Sequence, residues 1–194
     1  MTYNQPVASR IWIGSLDQPS LGVNAQYNPK ELSLDKSIPW SQHQKGNLDG
    51  LQWEFTGAQG RTATVDLLFD AVEDGAEGAK SAVVAPIKTL QTLAAVRDAT
   101  SNDPKMRRPH HCVAVWGDVF ADVQQPRFQC VIMQLTVKYT MFSSDGHPLR
   151  ATVSVKLQEA TRVSMAQDDD GGNSNLSATD GKSGTSAPSD GYGE

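Results

Sequence analysis

A chain of 194 residues, 38% hydrophobic and 20% charged, is long enough for one domain with a real core. Six of the 22 acids but only one of the 17 bases fall in residues 168–194, leaving 16 of each sign in residues 1–167, so the net charge of −5 belongs to the C-terminal end. A neutral body gives no electrostatic ground for binding nucleic acid or an anionic membrane. Two cysteines, Cys112 and Cys130, are too few for a disulfide framework, and no apolar run approaches the ~20 residues of a membrane helix.

Met1-Thr2-Tyr3-Asn4-Gln5 has no basic stretch followed by an apolar run, so no secretory leader is expected and synthesis in the cytoplasm is. Arg10–Leu16 and Val23–Tyr27 read as two short strands around the turn cluster Asp17-Gln18-Pro19-Ser20, a hairpin that Asn28-Pro29 ends. Leu32, Leu34 and Trp40 follow at irregular spacing across a polar loop, and Trp53–Phe55 reads as another short strand. Thr62–Phe69 is a strand, and Glu73–Gly78 is loop chemistry. Val83, Ile87, Leu90 and Leu93 then recur at helical spacing, which predicts one amphipathic helix over Val83–Arg97 with Pro86 near its start and Arg97 at its negative end.

His111–Trp116 reads as a short strand. Arg127–Phe142 and Leu149–Glu159 form the clearest pattern in the chain. Leu149, Ala151, Val153, Val155 and Leu157 alternate with Arg150, Thr152, Ser154, Lys156 and Gln158. On the preceding run Val131, Met133, Leu135, Val137, Tyr139 and Met141 share one parity. A long antiparallel hairpin with a five-residue loop is predicted. Val131, Leu135, Val153 and Val155 are expected on its core face. Lys138, Thr140, Arg150, Thr152 and Lys156 are expected on the other, toward a channel or a neighbouring copy. From Asp168 to Glu194 only Leu176 and Tyr192 are large and apolar, which cannot offset the entropy of ordering. The expected organisation is a β domain over 1–163 and a disordered acidic tail over 164–194.

No catalytic constellation emerges. Adjacent residues on a strand point to opposite faces, so His110 and His111, or His111 and Cys112, are poorly placed to share a metal, and no second ligand pair has zinc-site spacing. Ser143, Asp145 and His147 are the residue types of a hydrolytic triad, but they sit within one hairpin tip, without the buried histidine and oxyanion site a triad needs. Asp145-Gly146 and Pro148 there are turn chemistry. Cys112 and Cys130 read as small buried hydrophobes on neighbouring strands. Gly57-Ala58-Gln59-Gly60 precedes a strand rather than a helix and fails as a nucleotide loop. Glu73-Asp74 reads as solvated. No catalytic, cofactor-binding or metal-binding residue is assigned. The residues alone support a mostly-β domain with one helix.

The order of segments resembles the tube-protein family of contractile injection systems, which are phage-tail-like particles. Tyr27-Asn28-Pro29-Lys30-Glu31-Leu32, with Trp40 soon after, is similar to that family's F-N-P-x-x-L segment. Trp53–Gly57 and Val65–Asp70 are similar to F-x-G … L-x-F-D. Arg108-Pro109 and Val113–Gly117 are similar to R-P-P-x-x-x-F-x-W-G. Tyr139–Phe142 and Gly146–Ala151, closing on Glu159, are similar to Y-T-x-F … G-x-P-x-R-A. The resemblance spans about residues 10–160. It implies a phage-tail-tube-like β-barrel or sandwich that closes with five further copies into a hexameric ring. Its implied partners are neighbouring tube and spike or baseplate proteins of one particle, found outside the cell after release, with no nucleic acid, membrane or cofactor. The helix and polar loops favour a tube initiator, an adaptor between baseplate spike and inner tube. A main inner-tube subunit and a small ligand- or cargo-binding β module are the alternatives. Adaptor relatives often carry a LysM module after this domain, a feature the residues after Val163 do not match.

Overall fold

The computed structural model describes residues 10–43, 52–120 and 127–164. Nine strands occur among them: β1 Trp12–Ser15, β2 Gly22–Asn24, β3 Leu32–Asp35, β4 Trp40–His43, β5 Gln52–Phe55, β6 Thr62–Asp70, β7 Cys112–Val115, β8 Phe128–Phe142 and β9 Pro148–Glu159. Seven form one antiparallel sheet in the order β2-β1-β7-β8-β9-β6-β3, while β4 and β5 pair only with each other. The expected mostly-β fold with one helix is the one observed. The sheet does not close, however, so the expected barrel is corrected to an open sheet with β2 and β3 at its two ends. The proposed tail lies outside the described residues apart from its first residue, Ser164.

The β1–β2 hairpin forms where expected, and Leu32, Leu34 and Trp40, expected in a loop, lie on strands instead. On β1, Trp12 covers two glycines: a Cβ on Gly14 or Gly22 would come within 2.2 or 2.7 Å of its indole. A side chain at either position would lift the ring off the sheet.

One helical run covers the sheet. It begins as α1 Gly75–Ala79, passes through a π-helical turn at Lys80–Val84 and continues as α2 Ala85–Ala94. The start expected at Val83 is therefore eight residues late. Two glycines make residues 73–78 look like loop, but fully buried Ala79 anchors this turn in the core, and tertiary packing overrides weak propensity. From the π turn onward Val83, Ile87, Leu90 and Leu93 recur at helical spacing and are all buried. The helix ends at Ala94. Arg97 leaves it and approaches Asp17 at 3.8 Å.

Ala63, Val65, Leu67 and Phe69 of β6 lie directly opposite Leu157, Val155, Val153 and Ala151 of β9, and all eight are buried. Val153 and Val155 thus occupy the expected core face. On β8 the expected parity holds only in part. Phe128, Cys130 and Ile132 face the core, then the register shifts between Ile132 and Gln134, with Met133 as the extra residue, and Leu135 and Val137 take over. Val131, expected on the core face, lies on the other one. A bulge inserts one residue and flips every later side chain, which a search for uninterrupted alternation cannot detect.

Hydrogen bonds show which edges are free. Ser15 donates to Leu21 O (2.9 Å) and Ala25 to Ile11 O (2.8 Å). In an antiparallel ladder this alternation turns the backbone groups of Gly22 and Asn24 away from β1, to the side where no further described strand lies. Across the sheet, Glu159 donates to Arg61 O and Ala71 to Leu149 O, so the even residues of β6 turn toward β3. There Thr62 and Thr64 meet Asp35 and Ser33, which leaves the groups of Leu32 and Leu34 on the outer edge.

Candidate assembly surfaces

The long hairpin carries a continuous polar face. Direct register pairs Gln134 with Lys156, Thr136 with Ser154 and Lys138 with Thr152, and β6 continues that face with Thr64 and Asp66. Of the residues expected there, Lys138, Thr152 and Lys156 are in place. Thr140 is the extra residue at a second register shift, between Tyr139 and Met141, so the alternation does not fix its face. Arg150 is on the face, but its guanidinium is already tied to Asp70: Nε donates to Oδ2 at 2.9 Å and a terminal nitrogen bonds the same oxygen.

The second surface was legible only as a fragment. In the β4–β5 ribbon Trp40 opposes Phe55 and Gln42 opposes Trp53, so these four residues share one face. The Trp40 and Phe55 rings lie 5.5 Å apart, and Trp40, Trp53 and Phe55 are 54%, 59% and 52% exposed. Thr56 donates to Pro39 O through both its amide (3.3 Å) and its hydroxyl (3.0 Å), closing the stem. A two-stranded ribbon is marginal alone in water, and three exposed aromatics on one face make it a candidate interaction surface. The alternation Trp53-Glu54-Phe55 is the signal that could have identified it in the sequence.

A charged clasp joins the β1–β2 turn to the segment before β7. Arg108 donates to both Asp17 oxygens, at 2.9 and 3.0 Å, and the His111 amide adds a third bond at 2.8 Å. Burial pushes the Asp17 carboxyl up, but these donors and the charges of Arg108 and Arg97 outweigh it and hold it below its usual 3.8. His110 is buried, with Nδ1 2.8 Å from Ser15 Oγ, which itself accepts from the Gln18 amide. The Ser15 hydroxyl thus links the His110 ring to the β1–β2 turn. Burial and the neighbouring Arg97 charge lower the His110 pKa below 6.5, so the ring stays neutral. At the other end of the sheet Arg61 bonds Glu159 at 2.8 Å and lies 5.2 Å from the Phe128 ring centre. Burial raises the Glu159 carboxyl, yet the Arg61 bonds hold it below 4.5.

The histidines and the hairpin tip are held by local bonds. His111 uses Nε2 on Ala160 O at 2.7 Å, away from the His110–Ser15 contact. Ser143 Oγ accepts the His147 amide at 3.1 Å, and Gly146 adopts φ +81°, so the tip is occupied by turn bonding. Cys112 and Cys130 lie directly opposite each other as free, fully buried thiols. Burial, with the Asp17 charge, pushes Cys112 up to about 12, and burial raises Cys130 well above its usual value. Thiols so placed stay protonated at neutral pH.

An open sheet whose described edge strands β2 and β3 differ, a polar hairpin face and an exposed aromatic ribbon face suit a subunit that meets other subunits. Residues 14–167 match the family described as contractile injection system tube protein. The chain belongs to that family. It is a structural, tube-like subunit of a phage-tail-like particle, and the family implies assembly with other components of that particle. No curated protein matches the chain. Within this tube-protein chain, no described helix is long and apolar enough to cross a membrane.

Proposed function

We propose that this tube protein forms a hexameric ring that initiates the inner tube, as an adaptor between the baseplate spike and the stack of tube rings. The observation that carries the reading is that the sheet ends in two different edges, the β2 side and the β3 side. A heterologous contact between unlike surfaces closes into a ring when the rotation permits, whereas identical faces give dimers. The helical run and the β4–β5 ribbon add surfaces beyond the sheet, which fits a subunit that meets different neighbours on its two sides. In this reading the partners are further copies of the chain and the adjoining tube and spike proteins, and residues 164–194 form an appendage to the domain. The chemistry is structural, with no cofactor and no reaction step.

Light scattering after size-exclusion chromatography, over a range of protein concentrations, tests the ring. Association to a hexamer supports it, and a monomer at every concentration favours the small binding module. A density map of the assembled particle tests the adaptor position: one ring at the spike supports an initiator, and many stacked rings support a main tube subunit.

A further inference from the structure

The described residues carry two candidate contact surfaces. The first is the aromatic face of the β4–β5 ribbon. The second is a groove of about 380 Å³ between the edge strand β2 and the helix, with Phe69 among its lining. Its helix wall is made of small or compact side chains: Ala82, Ala85, Pro86 and Thr89. Along its other wall run the outward backbone groups of Gly22 and Asn24, free to pair with another extended strand.

From these we infer that the groove receives the β4–β5 ribbon of a second copy of this chain, whose edge adds to β2 while its aromatic face packs against α2. This deepens the reading above, because it rests on the chain assembling with copies of itself. None of the described residues of the same chain's ribbon lines the groove. The ribbon springs from the Thr62 end of β6, whereas the groove touches β6 at Phe69, roughly 23 Å further along the strand. The ribbon supplies what the groove lacks, extended backbone and bulky apolar side chains. Just over half of each aromatic is still exposed, so covering the three buries roughly 250–400 Å², between a third and a half of the ~800 Å² per partner of a standard stable interface. The contact is heterologous, since ribbon and groove are different surfaces, and can therefore propagate around a ring.

Mixing two single-cysteine variants tests it. Gln42→Cys places a thiol on the aromatic face, and Thr89→Cys places one on the groove wall. The native Cys112 and Cys130 are buried and stay silent. With a short bismaleimide, the mixture should give a cross-linked dimer and each variant alone should not. Ala85→Trp, at an exposed helix position on the groove, should weaken association about tenfold or more while leaving the circular dichroism unchanged. Association without a mixed cross-link and unaffected by Ala85→Trp overturns this inference and leaves the ring reading standing. A cross-link in Gln42→Cys alone also overturns it, because ribbons would then meet ribbons. Absence of any association in the unsubstituted protein defeats both.

Discussion

The side chain of Gln26 holds Asp70 as a neighbouring strand would. Its amide nitrogen donates to Asp70 O at 2.7 Å, and its carbonyl oxygen accepts the Asp70 amide at 2.7 Å. The even residues of β6 turn away from β9, and β3 reaches along β6 only as far as Val65. One carboxamide thus satisfies both backbone groups of Asp70 and ties the segment after β2 to the far end of β6. Gln26→Ala should cost about 1–3 kcal/mol, because it leaves a part-buried donor and acceptor unmade. Gln26→Glu should not restore stability, since it keeps the acceptor but sets an oxygen against Asp70 O. Urea titrations of the three proteins check this.

The bulge at Met133 makes a prediction that uninterrupted alternation reverses. Val153 is fully buried, so Val153→Asp should unfold the domain, a charge without a partner costing several kcal/mol at full burial. Val131, on the other face, should accept Thr with a loss of less than about 1 kcal/mol. Ile132→Thr, on the core face, should cost more. Far-UV circular dichroism and denaturation midpoints separate the three.

Much of the fold was legible because it rests on local pattern. The parity of Leu149–Leu157 reports a half-buried strand without any knowledge of its neighbours, and the hairpin tip is encoded by Asp145-Gly146. The misses share a cause, since each depends on contacts distant in sequence. Residues 75–79 are helical through the burial of Ala79. Arg97 pairs with Asp17 rather than ending a helix. Gln26 meets Asp70 across 44 positions. The candidate site was legible by half: the polar hairpin face is written in alternation, while the aromatic face needs the pairing of β4 with β5, which four-residue strands do not announce.

Acid should weaken the fold in two stages, first through His110 and then through the carboxylates. His110, Asp17, Asp70 and Glu159 all have folded pKa values below their ordinary ones, so at intermediate pH the unfolded chain binds more protons and stability rises with pH. For Asp70 the Arg150 hydrogen bond is the main cause. The His110 contribution is complete above about 6.5 and is lost as pH falls through its lower folded value. The carboxylate contributions begin to fall below 4.5 for Glu159 and 3.8 for the aspartates. Urea midpoints measured from pH 8 to pH 3 should show both stages, and His110→Gln should remove the upper one.

Lys138 and Lys156 are better probes of the polar face than Arg150. Arg150→Glu sets a like charge against Asp70, so lost assembly could follow from a weakened fold. Lys138→Glu and Lys156→Glu should stay within about 0.5 kcal/mol of the parent in stability, as exposed surface changes do. They should reduce incorporation into particles if that face meets a neighbour. Pull-down of particle components alongside circular dichroism distinguishes the effects, and unaltered assembly with both variants removes this face from the interface.

The proposed ring requires that the chain close on copies of itself. Its most direct measurement is the mass in solution by light scattering across a hundredfold range of concentration, with negative-stain imaging of the largest species. The account predicts a rise from monomer to a six-fold ring. A single monomeric mass throughout, with no rings in the images, would contradict it.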